Sequence, residues 1–116
     1  MIEAGTRRRN LPAPPHVVGE SLGEPDRDPA RPWLFLLDGE ERPVVLERTA
    51  QRVVWSSLWP RRPEALIVFD LDAGGGGTDL RWTLLVDELP DASLLGHYRR
   101  RINVLINANL RYSYGQ

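Results

Sequence analysis

The most constraining stretch of this chain is "ALIVFDLDAGGGGTDLRWTLLVDE", residues 65–88. A β-branched and aromatic run enters four consecutive glycines, and a run of strict alternation leaves them. Leu80, Trp82, Leu84 and Val86 fall on one face, Asp79, Arg81 and Thr83 on the other. Period two is the signature of a half-buried strand. A phosphate-cradling glycine loop must instead open into a helix, whose N-terminus faces the anion. It also needs a lysine in the Walker pattern, and all 15 basic residues here are arginine, as in chains from GC-rich genomes. The stretch therefore predicts a β-hairpin, with glycines supplying the positive φ angles that other residues avoid.

Other strands flank it. "RPVVLERT" and "RVVWSS" are β-branched runs with a turn near Ala50 and Gln51, and residues 2–10, "IEAGTRRRN", read as a weaker polar strand. Consecutive short strands with tight connections predict an antiparallel meander. Residues 11–25 read as a short helix: Pro14 and Pro15 suit its first turn, Val17, Val18 and Leu22 form its apolar stripe, and Gly23 and Pro25 end it. "WLFLLDGEE" reads as a second helical turn ending near Gly39. The longest helix starts at Pro90–Asp91 and stops near Gly115, about six turns. Leu95, Tyr98, Ile102, Ile106 and Leu110 share its apolar face with Leu105 at the edge, while His97, Arg100, Val104 and Arg111 lie opposite.

At 116 residues the chain makes one domain, residues 1–116. A net charge of -1 creates no global attraction for nucleic acid or an anionic membrane, and no apolar run approaches a membrane span. There is no cysteine, hence no disulfide or thiolate chemistry. No signal peptide precedes the first strand, and the expected location is cytoplasmic.

A strand, two short helices, a meander and one long C-terminal helix are the element order of the helix-grip fold. "PAPPHVVGESLGEPDRDPARPW" resembles that family's opening segment, "IVFDLDAGGGGTDLRWTLL" its hairpin, and the closing helix completes the likeness. The chain thus resembles a small member of the START/Bet v 1-like (SRPBCC) superfamily, which includes polyketide cyclase/dehydrase-like proteins and Hsp90 ATPase activator homologues. The resemblance implies an α+β domain with a curved antiparallel sheet wrapped around the long helix. It also implies a ligand cavity between the two. The family usually has six or seven strands, against five counted here, so the cavity is expected to be open at one end. The unpaired edge suggests a homodimer.

On that resemblance the cavity candidates are Trp33, Phe35, Trp55, Phe69 and Trp82, with Leu84, Tyr98, Ile102 and Asn109. The aromatics serve equally as plain core. Phe69 opposite Leu80, with Ile67 opposite Trp82, is one hairpin register; a shift putting Val68 opposite Trp82 is the other. Asn109, an amide within the apolar stripe, is held by protein partners or faces a wet pocket. Arg99 lies at the edge of that stripe. The runs Arg7–Arg9 and Arg99–Arg101 read as solvated faces.

No catalytic constellation is evident. His16 and His97 are isolated, Ser56 and Ser57 lack a nucleophile elbow, and no spacing suggests a metal site or a cofactor. The function expected is binding of an apolar or aromatic small molecule. The alternatives are a polyketide cyclase-like enzyme and a protein-interaction module akin to the Hsp90 activator homologues; nucleic acid and membrane are not expected partners.

Overall fold

A computed structural model describes residues 1–115. Five strands, β1 (Ile2–Leu11), β2 (Val45–Arg48), β3 (Arg52–Ser56), β4 (Leu66–Gly74) and β5 (Gly77–Val86), form one antiparallel sheet in the order β1-β5-β4-β3-β2. Helix α1 (Pro15–Gly23) follows β1, with Pro14 and Pro15 at its start. Helix α2 (Ala92–Val104) is capped by Asp91, whose side chain accepts from the Leu94 N–H. It runs on through a π-helical stretch (Leu105–Leu110) into a last turn (Arg111–Ser113). No helix of the described residues is long and apolar enough to cross a membrane.

The glycine run is the expected hairpin. Gly74 pairs with Gly77, and Gly75 and Gly76 between them have φ of 58° and 78°. Two central residues with positive φ match the primed turns whose twist suits a hairpin. Gly77 is needed for another reason: a Cβ there would lie 2.0 Å from the Leu11 carbonyl oxygen. The turn sets the register, so Phe69 faces Trp82, Ile67 faces Leu84 and Leu71 faces Leu80. This is two residues from the pairing of Phe69 with Leu80. A slip of two keeps every side chain on its face, and the same inward set is buried.

The inward faces of β3, β4 and β5 bury Val53, Trp55, Ile67, Phe69, Leu71, Leu80, Trp82 and Leu84 against α1 and the C-terminal helix. The Trp55 indole N–H donates to the Leu22 carbonyl at 2.8 Å, tying β3 to α1.

Two expectations are corrected. Residues 33–40 form no helical turn: they make an irregular strap, with a tight turn where the Phe35 N–H donates to the Trp33 carbonyl at 2.9 Å and a reversal at Asp38–Gly39, where Gly39 has φ 86°. So short a segment gains too few internal hydrogen bonds to offset helix nucleation. Its contacts are tertiary instead: Trp33 stacks on Trp55 at 5.9 Å, and the Phe35 carbonyl accepts from Arg101. The second correction is the π-helical stretch. Its hydrogen bonds reach to i+5, so each turn takes more residues than 3.6. Leu110 is thereby fully buried, and Asn109, one residue earlier, is only half-buried.

The sheet has two edges, and they differ. On β1 the C-terminal helix supplies a ridge of polar residues four apart. The Arg99 Nε–H donates to the Ala4 carbonyl at 2.7 Å, and Asn103 accepts from Arg9 at 3.0 Å. Asn107 accepts from Arg111, which also donates to the Asn10 carbonyl. β2, the other edge, is four residues long, bulged between Val45 and Glu47 and charged at Glu47 and Arg48. Short, bulged and charged edges resist further strand pairing.

Candidate functional site

Of the nine residues expected around a cavity, Trp55, Phe69, Leu84 and Ile102 are fully buried and pack within the main core cluster. Phe35 is 54% exposed on the strap. Asn109 borders none of the five main clefts among the described residues. The other three border different clefts: Trp33 one between α1 and the chain end, Trp82 one between β1 and α2, and Tyr98 one between the strap and α2.

The strap cleft is the apolar one. It encloses about 520 Å³ and is lined by Leu37, Trp59, Pro60, Leu94, His97 and Tyr98 together with the Asp38–Glu40 turn and Arg61. Trp59 and Tyr98 form its back wall, ring centroids 4.1 Å apart and tilted by 30°. His97 stands here too, partly buried and 6.0 Å from Tyr98, and so not on an outer helix face.

Beneath this wall lies a buried ion pair that reading the sequence missed. Arg101 meets the Glu40 carboxylate through two donors, at 2.8 and 2.9 Å, and their side chains are only 10% and 3% exposed. Glu40 also accepts from the Leu37 N–H at 2.8 Å and the Trp59 indole N–H at 3.3 Å. Burial pushes the Glu40 carboxyl up. The bonds from Arg101 and Leu37, the Arg101 charge and the Trp59 bond outweigh it and leave the carboxyl below its ordinary value. The result is a fixed, fully engaged carboxylate, which holds Trp59 and the strap in place. Burial also raises the Tyr98 hydroxyl above its usual value, with the Arg62 and Arg61 charges opposing, so Tyr98 stays protonated near neutral pH.

Arg101 thus overturns the expectation of a solvated run at Arg99–Arg101. The only sequence signal was its place, one residue before Ile102 on the apolar stripe. Arg9, bonded to Asn103, is likewise part of the packing.

The chemistry is thin. Glu40 is occupied by four donors from three residues, and no group of three or more metal-ligating side chains gathers among the described residues. His97 is the one imidazole at the strap cleft, without a carboxylate hydrogen-bonded to it among the described residues.

No protein-family model matches the chain, and no curated protein matches it. Solved structures do. An Aha1 dimer from Colwellia psychrerythraea superposes with a TM-score of 0.72 at 17% identity, covering 96% of this chain and 94% of that one. CalU16 from Micromonospora echinospora gives 0.65 at 19%, covering 91% and 76%. Ara h 8.0201 gives 0.57 at 13%, covering 97% of each chain.

The fold is the Bet v 1-like helix grip. These neighbours carry the SRPBCC-type folds that the hairpin and closing helix resemble. At such identities the likeness establishes architecture alone, and the side chains must argue for function. In this helix grip the long helix lies across the sheet with an apolar cleft on its strap side and a basic cleft on its β1 side.

Proposed function

We propose that the protein binds a small apolar or aromatic molecule, without transforming it, in the strap cleft between Leu37, Trp59, Pro60, Leu94 and Tyr98. The observation that carries this reading is the paired Trp59 and Tyr98 rings facing an apolar space, held by the buried Glu40–Arg101 pair. Aromatic walls with few polar groups suit planar apolar ligands. Binding is favoured over a cyclase-like reaction because general acid–base chemistry needs a free, positioned acid or base. Glu40 is not free, and His97 has no orienting partner among the described residues.

Titration with 2-naphthol, followed by Trp59 and Tyr98 resonances in NMR, tests it. Saturable shifts confined to the strap cleft are expected, weakened at least tenfold by Leu37→Asp, an exposed position where the fold tolerates the change. Shifts that miss Trp59 and Tyr98, or survive Leu37→Asp, would sink the reading.

A second proposal concerns self-association. β2 is the edge that the helix leaves uncovered, and Val44 just before it and Leu46 within it are exposed apolar residues. A homodimer packed over these two side chains, without strand pairing across the charged β2 edge, would cover both. That one solved neighbour is described as a dimer agrees with this reading.

A further inference from the structure

The basic cleft lies on the opposite flank of α2. Arg7 and Trp82 line it from the sheet, and Arg99, Arg100 and Asn103 from the helix, around a space of about 520 Å³. Glu3 is the one carboxylate of its lining.

Three features set this cleft apart. First, its guanidinium groups lack counterions. Other arginines, Arg8, Arg31 and Arg81 among them, are also without an ion pair among the described residues, but here three, Arg7, Arg99 and Arg100, line one space. Three like charges around one space repel, and an anion between them relieves the repulsion. Second, the Trp82 indole nitrogen is buried with no hydrogen-bond partner, on a residue 2% exposed. The Trp55 and Trp59 indoles both have one. Orphaned buried donors are rare and costly, and each calls for an acceptor. Third, room is kept open. Gly96 sits within helix α2, where glycine is a poor helix former, and a Cβ there would meet nothing within 4 Å. Gly5 lacks the Cβ that would press on the Arg99 side chain at 2.9 Å, so Arg99 can lie across the strand.

We propose that this cleft binds the oxyanion head, carboxylate or phosphate, of a small organic acid. Arg7 and Arg100 supply charge from the two walls, and the planar Arg99 fork offers the paired donors that such heads accept. Trp82 lines the same cleft, and its unpartnered N–H is a single directed donor. It lies out of contact with solvent, so the oxygen reaches it as lining side chains give way. Arg99, exposed and tethered through its Nε to a single carbonyl, is a lining side chain able to move. The site is separate from the apolar strap cleft, and neither depends on the other.

The test is NMR of the tryptophan indole N–H groups in low-salt buffer, titrated separately with sodium benzoate and with inorganic phosphate. The Trp82 resonance is identified as the one absent from Trp82→Phe. Saturable movement of that resonance with either anion is expected, and which one moves it assigns the head group. The double variant Arg7→Gln/Arg100→Gln removes two exposed side chains that make no side-chain hydrogen bond among the described residues, and should weaken binding at least tenfold. Arg8→Gln/Arg31→Gln, the same charge change away from the cleft, should leave affinity within twofold. Gly96→Leu should block binding from the helix side while the thermal midpoint holds or rises. No saturable movement with either anion overturns the proposal. So does equal weakening by the two arginine pairs, since that means diffuse attraction without a site.

Discussion

Arg99, Arg100 and Arg101 are consecutive, yet they belong to different worlds on the two flanks of one helix. Arg101 is buried against Glu40 and fixes the strap. Arg99 holds one backbone carbonyl of β1, and Arg100 holds no carboxylate. The side chains are chemically identical, so the surroundings decide their roles. A charge taken out of water must be matched almost completely, whereas one left at the surface contributes little and stays available. The strap flank is therefore a rigid structural clamp behind an apolar wall. The β1 flank is a set of uncommitted donors.

The sharpest way to break this contrast is to remove each arginine. Arg101→Met strands a buried carboxylate and should cost about 3–5 kcal/mol, a large part of a small domain's stability. Arg100→Met should stay within about 0.5 kcal/mol, as an exposed substitution does. Urea unfolding measures both, and equal losses would abolish the distinction. Adding Glu40→Gln to Arg101→Met should recover part of the loss, because partners in one network are not additive.

Acid provides a finer probe of the strap flank. The Glu40 carboxyl titrates lower in the folded protein than its ordinary value of 4.5. Its contribution to stability is thus complete above that ordinary value and is lost as pH falls through the lower folded one. As pH falls below that ordinary value the wild type should lose stability that Glu40→Gln, already lower, does not lose. Parallel curves would mean that the pair is not what anchors the strap.

On the β1 flank, Gly96→Ala should stabilise by about 0.4–1 kcal/mol, since alanine is the better helix former and the space is open. A lowered thermal midpoint would show that something occupies that space. The smallest effect concerns the sheet edges. If β2 joins two copies, light scattering should give a mass of about 26 kDa, twice the 13.2 kDa chain, falling to the monomer in Leu46→Lys. A mass near 13.2 kDa for the wild type at high concentration would show that the short, charged β2 edge is sufficiently protected by itself.

Much of the architecture was legible because local patterns carry it. Alternation through Leu80, Trp82 and Leu84 marked the inward face, and four glycines after a β-branched run marked the turn. The register was legible as well, had the turn been counted as two residues: pairing Gly74 with Gly77 carries Phe69 to Trp82 without further information. The ridge of Arg99, Asn103, Asn107 and Arg111 was also present as an i, i+4 series, but its meaning needed β1 beside it. The strap was illegible, because a short apolar run has no periodicity of its own.

By itself the sequence determined the strands, the hairpin, the ends of both helices and most of the inward-facing apolar side chains, since these follow from backbone sterics and hydrophobic periodicity between near neighbours. Only the tertiary structure decided which arginine pairs with Glu40, 61 residues away, and which three are left around a cleft. It also decided that the Trp82 nitrogen goes without an acceptor while those of Trp55 and Trp59 find one. The physical reason is that burial and pairing depend on what the folded chain brings within a few ångströms, and distant segments contribute most of those neighbours.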